Sequence, residues 1–305
     1  MLAPDVLKDR ISTGIMAFPA TPFHADGSLD QSRLESHVAF LAQHRPTALA
    51  AAGGAGEIFS LTLAEHEQVV RTTVLHANGV PVIGGAGYGT LMACEMARTV
   101  ERAGADAVLL LPPYLIRSEQ EGIFRHIRAV CASVSIAVVP YSRDNAIVAP
   151  ETLLRLADAC PNMIALKDGT GDLASVTKLK DKVGGRVTII NGAPTAEVYA
   201  PKFQSIQINS YSSAVFTFLP QLATRFFNAL QSGERALVGA MLADFYTPLV
   251  ELRDRKRGYS VSIVKAGLRV AGMPAGPVRA PLVDLDADEE SQLARLVAKA
   301  SQWIR

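Results

Sequence analysis

Aromatic residues are scarce in this chain: 6% of 305 residues, with a single Trp. Ala, Val, Leu and Gly are abundant instead, which suits close packing of strands against helices rather than an all-β sandwich. Cysteine is equally sparse. Cys94, Cys131 and Cys160 lie far apart, with no CxxC or Cys/His spacing, so no zinc site is expected and buried, reduced thiols are the default. No run of about 18 apolar residues occurs, so no membrane span is expected. The N-terminus has no charged segment followed by an apolar run, so no signal peptide is expected and the cytoplasm is the expected compartment. Charge of neither sign prevails: 30 Lys and Arg face 29 Asp and Glu. No basic stripe with interleaved aromatics appears, which argues against nucleic acid as a partner. The one basic cluster, Arg253-Asp254-Arg255-Lys256-Arg257, follows a helical pattern. It reads as a solvated helix end, with an anion site as the other reading. Of six histidines only His24 lies near a strand end, so imidazole catalysis is not expected.

Nearly half the chain is hydrophobic, enough for a large core. Eight short apolar runs recur, each closed by Gly, Pro, Asn or a polar residue: 14–20, 48–53, 81–85, 106–112, 135–141, 163–167, 187–191 and 205–209. Amphipathic helical patterns separate them, at 30–45, 62–76, 90–103, 118–132, 150–160 and 173–183. Thr62 with Glu65 three residues on forms a capping-box pattern. Eight strand–helix alternations imply parallel strands joined by right-handed crossovers, and favour a closed (β/α)8 TIM barrel over an open sheet. The barrel is expected over residues 1–225. From 226 to 305 the pattern stays helical, over 234–252, 262–270 and 287–303, and predicts a C-terminal helical appendage docked on the barrel.

In such a barrel, chemistry collects at the C-terminal ends of the strands. Lys167 ends the apolar run Met163-Ile164-Ala165-Leu166. Period-two alternation places Met163, Ala165 and Lys167 on one face, with Ile164 and Leu166 on the other. Small Ala165 beside Lys167 suits the crowded interior, so the amine points toward the barrel mouth. Desolvation there lowers a lysine pKa and leaves a nucleophile. A strand-end lysine that snorkels to water fits the same spacing. Tyr141 ends the neighbouring strand in phase with Val139 and Ala137, and reads either as a proton relay for Lys167 or as a core tyrosine. The turn Gly53-Gly54-Ala55-Gly56 offers bare N–H groups to an anion, through Gly54 and Ala55, or is simply a tight corner. Arg143, Asn145, Gly192, Ser212 and Ser213 stand at strand ends as candidates for a second carboxylate or hydroxyls. Arg143 leads because a guanidinium grips a carboxylate through two parallel bonds. Gly85-x-Gly87-x-Gly89 has the wrong spacing for a dinucleotide loop.

Together, the Gly53–Glu57 turn after strand two, Tyr141 after strand five and Lys167 after strand six resemble the dihydrodipicolinate synthase / N-acetylneuraminate lyase superfamily, over essentially the whole chain. The resemblance implies a TIM barrel, a Schiff base on Lys167, a tyrosine relay at Tyr141, a small-molecule keto acid as partner, no cofactor or metal, and a homo-oligomer, usually a tetramer. Residues 53–61, 110–115, 141–146, 167–172 and 211–214 look most like the branch that converts 5-dehydro-4-deoxyglucarate to 2,5-dioxopentanoate, CO2 and water. Synthases of the superfamily usually carry hydroxyl residues where Gly54 and Ala55 stand, and an aromatic where Leu115 stands. Both are absent here. The dehydratase branch usually has Thr in place of Ala55, a hydroxyl this chain does without. The rival readings are a sibling Schiff-base aldolase or synthase, a sugar-acid-binding barrel without turnover, and a phosphate-binding barrel enzyme.

Overall fold

The computed structural model describes residues 1–304. Eight parallel strands close into a barrel in sequence order: β1 (Thr13–Ala17), β2 (Ala48–Ala51), β3 (Val82–Ala86), β4 (Ala107–Leu110), β5 (Ala137–Ser142), β6 (Ala165–Asp168), β7 (Thr188–Asn191) and β8 (Asn209–Ser213), with β8 pairing back onto β1. The expected TIM barrel is the observed one. Some of the intervening helices start where a side chain satisfies a free N–H group. Asp30 accepts from the Arg33 N–H ahead of helix Gln31–Gln43. Thr62 and Glu65 close a reciprocal capping box at helix Leu63–His76, as the sequence predicted. Gly184, left-handed at φ 56°, ends helix Leu173–Val183.

Alternation along the strands sorts the apolar residues into two layers. Met16, Ala50, Ile83, Leu109, Val139, Ala165 and Ile190 fill the barrel. Leu49, Val82, Val108, Val138 and Leu166 face the helices. An N-terminal helix, Pro4–Ile11, which the sequence reading did not anticipate, sends Leu7 and Ile11 into the interior layer beside Ala48, Ala107 and Ala137 at the strand starts, and so plugs the bottom of the barrel. Two expectations need correction. The eighth strand is Asn209–Ser213, not 205–209: it is a polar strand, and the apolar signal at Ile206 and Ile208 belongs to the turn leading into it. Ile164 lies in the interior layer and Met163 outside, because regular pairing in β6 begins only at Ala165. Before that, Met163 touches Val138 through a lone bridge.

After β8, helix Pro220–Gln231 completes the eighth unit. The appendage follows: Arg235–Met241, a π-turn at Leu242–Tyr246, Thr247–Arg253, Tyr259–Val270 and Ala287–Ala300. Met241, Phe245, Leu249, Leu268 and Leu293 belong to the same buried layer as the helices around the barrel, so the appendage shares one core with it. Among the described residues no helix is long and apolar enough to cross a membrane.

Candidate active site

At the C-terminal mouth of the barrel lies a cavity of about 380 Å³. Its floor is set by strand register: Tyr141 stands directly opposite Lys167 across β5 and β6. Lys167 is buried at 5% exposure and its amine is 3.5 Å from the centre of the Tyr141 ring and 5.1 Å from that of Phe18. Burial pushes the Lys167 pKa down from the usual lysine value. The Tyr141 phenol opposes that shift and Arg143 adds to it. For Tyr141 the balance is reversed in kind: burial works against ionisation, but Lys167 and then Arg143 outweigh it and hold the phenol below the usual tyrosine range. The Tyr141 hydroxyl donates to the Gly192 carbonyl at 2.7 Å and accepts from Arg143 at 3.4 Å. An amine whose charged form burial disfavours, beside a phenol whose ionisation that same charge eases, is the pairing that imine formation needs, a nucleophile with a proton-transfer partner in reach.

Gly192 is glycine for a steric reason. A Cβ there would sit 2.4 Å from Lys167 Cγ and 2.8 Å from its Cε. The next residue after the lysine, Asp168, turns away from the cavity. Its carboxyl accepts from the Thr170 and Gly171 N–H groups and the Thr170 hydroxyl, and so fixes the loop leaving β6. Burial nevertheless raises its pKa.

On the opposite side, Gly54 and Ala55 line the cavity, and among the described residues their N–H groups make no hydrogen bond. Two non-glycine residues in left-handed conformation bracket this turn, Ala52 at φ 48° and Glu57 at φ 56°. Such strain persists only where surrounding structure over-determines it. What holds it is a buried ion pair. Glu57 meets Lys265 of helix Tyr259–Val270 at 2.7 Å, both side chains at 0% exposure. The second Glu57 oxygen accepts from the Arg279 N–H at 3.1 Å, and Lys265 also donates to the Pro277 carbonyl at 2.7 Å. Arg279 in turn pairs with Glu65 and donates to the carbonyls of Ser60 and Gly27. The C-terminal appendage is thereby stitched to the turn after β2.

The structure brings together Lys167, Tyr141, Gly54, Ala55, Arg143, Gly192 and Ser212 around this one cavity. It does not bring Asn145 or Ser213 there. The Asn145 amide donates to the Pro113 carbonyl, and the Ser213 hydroxyl donates to the buried Glu197 carboxyl behind β8. None of the six histidines is among the lining residues; His37 and His66, for example, are buried against backbone groups. Sequence reasoning missed Phe18, Thr195 and Arg253, and the contribution of Ser260, Ile263 and Val264 from the appendage. For Arg253 a signal existed. The basic run was read as a solvated helix end, which holds for Arg255, Lys256 and Arg257, all exposed. Arg253 differs because it is the last residue of its helix and turns inward, its side chain 12% exposed, to Thr195. Lys265 also had a signal, a lysine set among Ile263, Val264, Ala266 and Leu268 of its helix.

Comparison with known proteins gives the same architecture and a narrower kinship. Residues 11–300 match the dihydrodipicolinate synthetase family. The chain is 48% identical over 297 residues to a probable 5-dehydro-4-deoxyglucarate dehydratase of Bradyrhizobium sp. (strain ORS 278), covering 97% of this chain and 95% of the relative. A protein of the same name from Rhizobium rhizogenes (strain K84 / ATCC BAA-868) is also 48% identical, over 97% of this chain and 98% of its own length. Among solved structures, dihydrodipicolinate synthase from Oceanobacillus iheyensis superposes with a TM-score of 0.89 at 25% identity, covering 98% of this chain and 99% of that one. The enzyme from Bacillus clausii superposes at 0.88 with 26% identity, covering 97% and 99%.

Proposed function

The chain belongs to the dihydrodipicolinate synthetase family, and from that premise we propose that it is a Schiff-base lyase that dehydrates and decarboxylates 5-dehydro-4-deoxyglucarate to 2,5-dioxopentanoate. The observation that carries the reading is the desolvated Lys167 amine set against the face of Tyr141 at the cavity floor. The shared name of full-length relatives at 48% identity supports the substrate.

In this reading the Lys167 amine adds to the C5 ketone. Tyr141 moves the protons as the carbinolamine collapses, and water leaves to give an iminium. The cationic nitrogen acidifies C4–H. Loss of that proton and of hydroxide from C3, together one water, gives an iminium conjugated through C3=C4. The C1–C2 bond then breaks. Its electron pair forms C2=C3, the C3=C4 pair moves to C4=C5, and the iminium π pair comes to rest on nitrogen as CO2 departs. Reprotonation, conversion of the C2 enol to the aldehyde and hydrolysis release 2,5-dioxopentanoate and the free lysine. The imine nitrogen takes up the electron pair at deprotonation and again at decarboxylation, and hydroxide carries one away from C3 in between, so these steps call on no metal or organic cofactor. Gly54 and Ala55 N–H groups hold the C6 carboxylate beside the ketone, a role their lack of other hydrogen bonds supports. Arg143 and Ser212 serve the rest of the substrate.

The same reading makes the protein a cytoplasmic homo-oligomer, by its resemblance a tetramer. Tyr114, Leu115 and Ile116, exposed at 65–77% beside the mouth, are apolar surface that a second copy would cover. The test is incubation with 5-dehydro-4-deoxyglucarate while CO2 and the semialdehyde are followed, with light scattering for the mass in solution. Pyruvate-dependent aldehyde addition without CO2 release would make it an aldolase instead, and reversible binding without CO2 a silent binding barrel.

A further inference from the structure

A six-carbon substrate with a carboxylate at each end needs a second anion position, and it must release the carboxylate held there as neutral CO2. Two guanidinium groups line the cavity, Arg143 and Arg253. Arg143 already contacts the Tyr141 hydroxyl, and its side chain is 40% exposed. Arg253 is enclosed, at 12%. Its Nη1 donates to the Thr195 hydroxyl at 2.6 Å, and its Nε and Nη2 donate to the two Asp254 carboxylate oxygens at 2.8 and 3.0 Å. A guanidinium has five N–H donors, one on Nε and two on each terminal nitrogen. One N–H on each terminal nitrogen is therefore left over.

Thr195 holds the arginine in place at a conformational cost. It is β-branched yet left-handed, φ 50° and ψ 64°, a backbone region such residues rarely enter. It follows by three residues Gly192, which packs on Lys167 and accepts the Tyr141 hydroxyl. The loop after β7 thus links the reacting amine to the arginine.

Resting on the dehydratase reading, we propose that Arg253, oriented by Thr195, recognises the C1 carboxylate, the one lost as CO2. Asp254 tempers that grip. A bare cation would stabilise the carboxylate of the bound substrate more than the transition state, where the charge is already moving to the imine nitrogen, and would slow its own reaction. A cation neutralised by a bidentate aspartate supplies direction with less hold on the charge. Arg253 is then a binding and specificity residue, and Asp254 a positioning residue that acts through it.

The experiment compares 5-dehydro-4-deoxyglucarate with the analogue bearing CH2OH in place of the C1 carboxylate. The readouts are the concentration that gives half-maximal borohydride trapping on Lys167, by intact mass, and kcat and KM for CO2 release. Arg253→Met is expected to raise the half-trapping concentration for the dicarboxylate by about ten- to a hundredfold and to leave the analogue nearly unchanged. Arg253→Lys should restore part of the discrimination, and Thr195→Ala should lose part of it with the charge intact. Asp254→Asn should lower KM and kcat together, with the conjugated iminium building up as ultraviolet absorbance. Equal weakening toward both ligands, or no change toward either, overturns the proposal for Arg253. An unchanged or raised kcat in Asp254→Asn overturns it for Asp254. If the wild-type protein traps neither ligand on Lys167, the dehydratase reading itself falls. If it traps both while Arg253→Met leaves their ratio intact, only this inference falls.

Discussion

Replacing Lys265 by Met would leave the Glu57 carboxyl buried without its cation, and the structure sets the size of the effect. Both side chains are at 0% exposure and 2.7 Å apart. The change also removes the bond to the Pro277 carbonyl and the contact with the Phe23 ring at 4.1 Å. Breaking one side of such a pair costs about 3–5 kcal/mol, mostly because a charge is stranded without solvent. At roughly 2 °C per kcal/mol for a chain of this size, the melting temperature should fall by about 6–10 °C. The double variant Glu57→Gln with Lys265→Met strands no charge and should recover most of that loss. Because Glu57 ends the turn that carries Gly54 and Ala55, the single variant should also raise KM more than it lowers kcat. Circular-dichroism melts of the three proteins, with steady-state kinetics, test this. If Lys265→Met melts within about a degree of wild type, or the double variant is no better than the single, the pair does not hold the turn.

Arg143→Leu should move the acidic limb of the kcat/KM–pH profile upward, because Arg143 helps hold the Lys167 pKa down and only the unprotonated amine attacks. An unmoved limb would exclude that coupling. Tyr141→Phe should lower kcat by about 10²–10⁴-fold, the usual worth of positioned proton transfer, while borohydride still traps an adduct. A rate within a few-fold of wild type would remove Tyr141 from the relay. Burial pushes the Glu197 pKa from 4.5 up to about 7, against the hydrogen bond from Ser213. The folded protein thus keeps this proton to higher pH than the unfolded chain. The resulting penalty is absent below pH 4.5, grows as pH rises, and is complete above about 7, at about 3 kcal/mol. Glu197→Gln should therefore melt near wild type at pH 4.5 and above it at pH 8. Equal melting differences at both pH values would show that the carboxyl is not titrating in that window.

The strands that carry the chemistry were legible because they are bounded by turn residues and alternate within their paired stretches, which in β6 begin at Ala165. Ala165 and Lys167 inside with Leu166 outside is a period-two pattern any strand must show, whereas the direct pairing of Tyr141 with Lys167 is set by the register of β5 against β6, which alternation alone does not fix. β8 was misplaced because its residues, Asn209-Ser-Tyr-Ser-Ser, carry a weak apolar signal while the turn before them is apolar. The N-terminal helix escaped notice because only Leu7 and Ile11 of it are buried. Local pattern finds a residue's element but not what folds over it from a hundred residues away. That is why Glu57 was visible as part of a turn while its partner Lys265 was not, and why Arg253 read as solvent-facing although Thr195 waited opposite. Asn145 and Ser213 were candidates because they are polar and end strands, and their hydrogen bonds are spent on holding loops.

The proposed dehydratase chemistry requires a covalent bond between Lys167 and the substrate ketone. Sodium borohydride added during turnover of 5-dehydro-4-deoxyglucarate, followed by peptide mass spectrometry, reads it directly. The prediction is a stable reduced adduct on the peptide containing Lys167, lost in Lys167→Ala together with CO2 release. CO2 release at the normal rate with that peptide unmodified would contradict it.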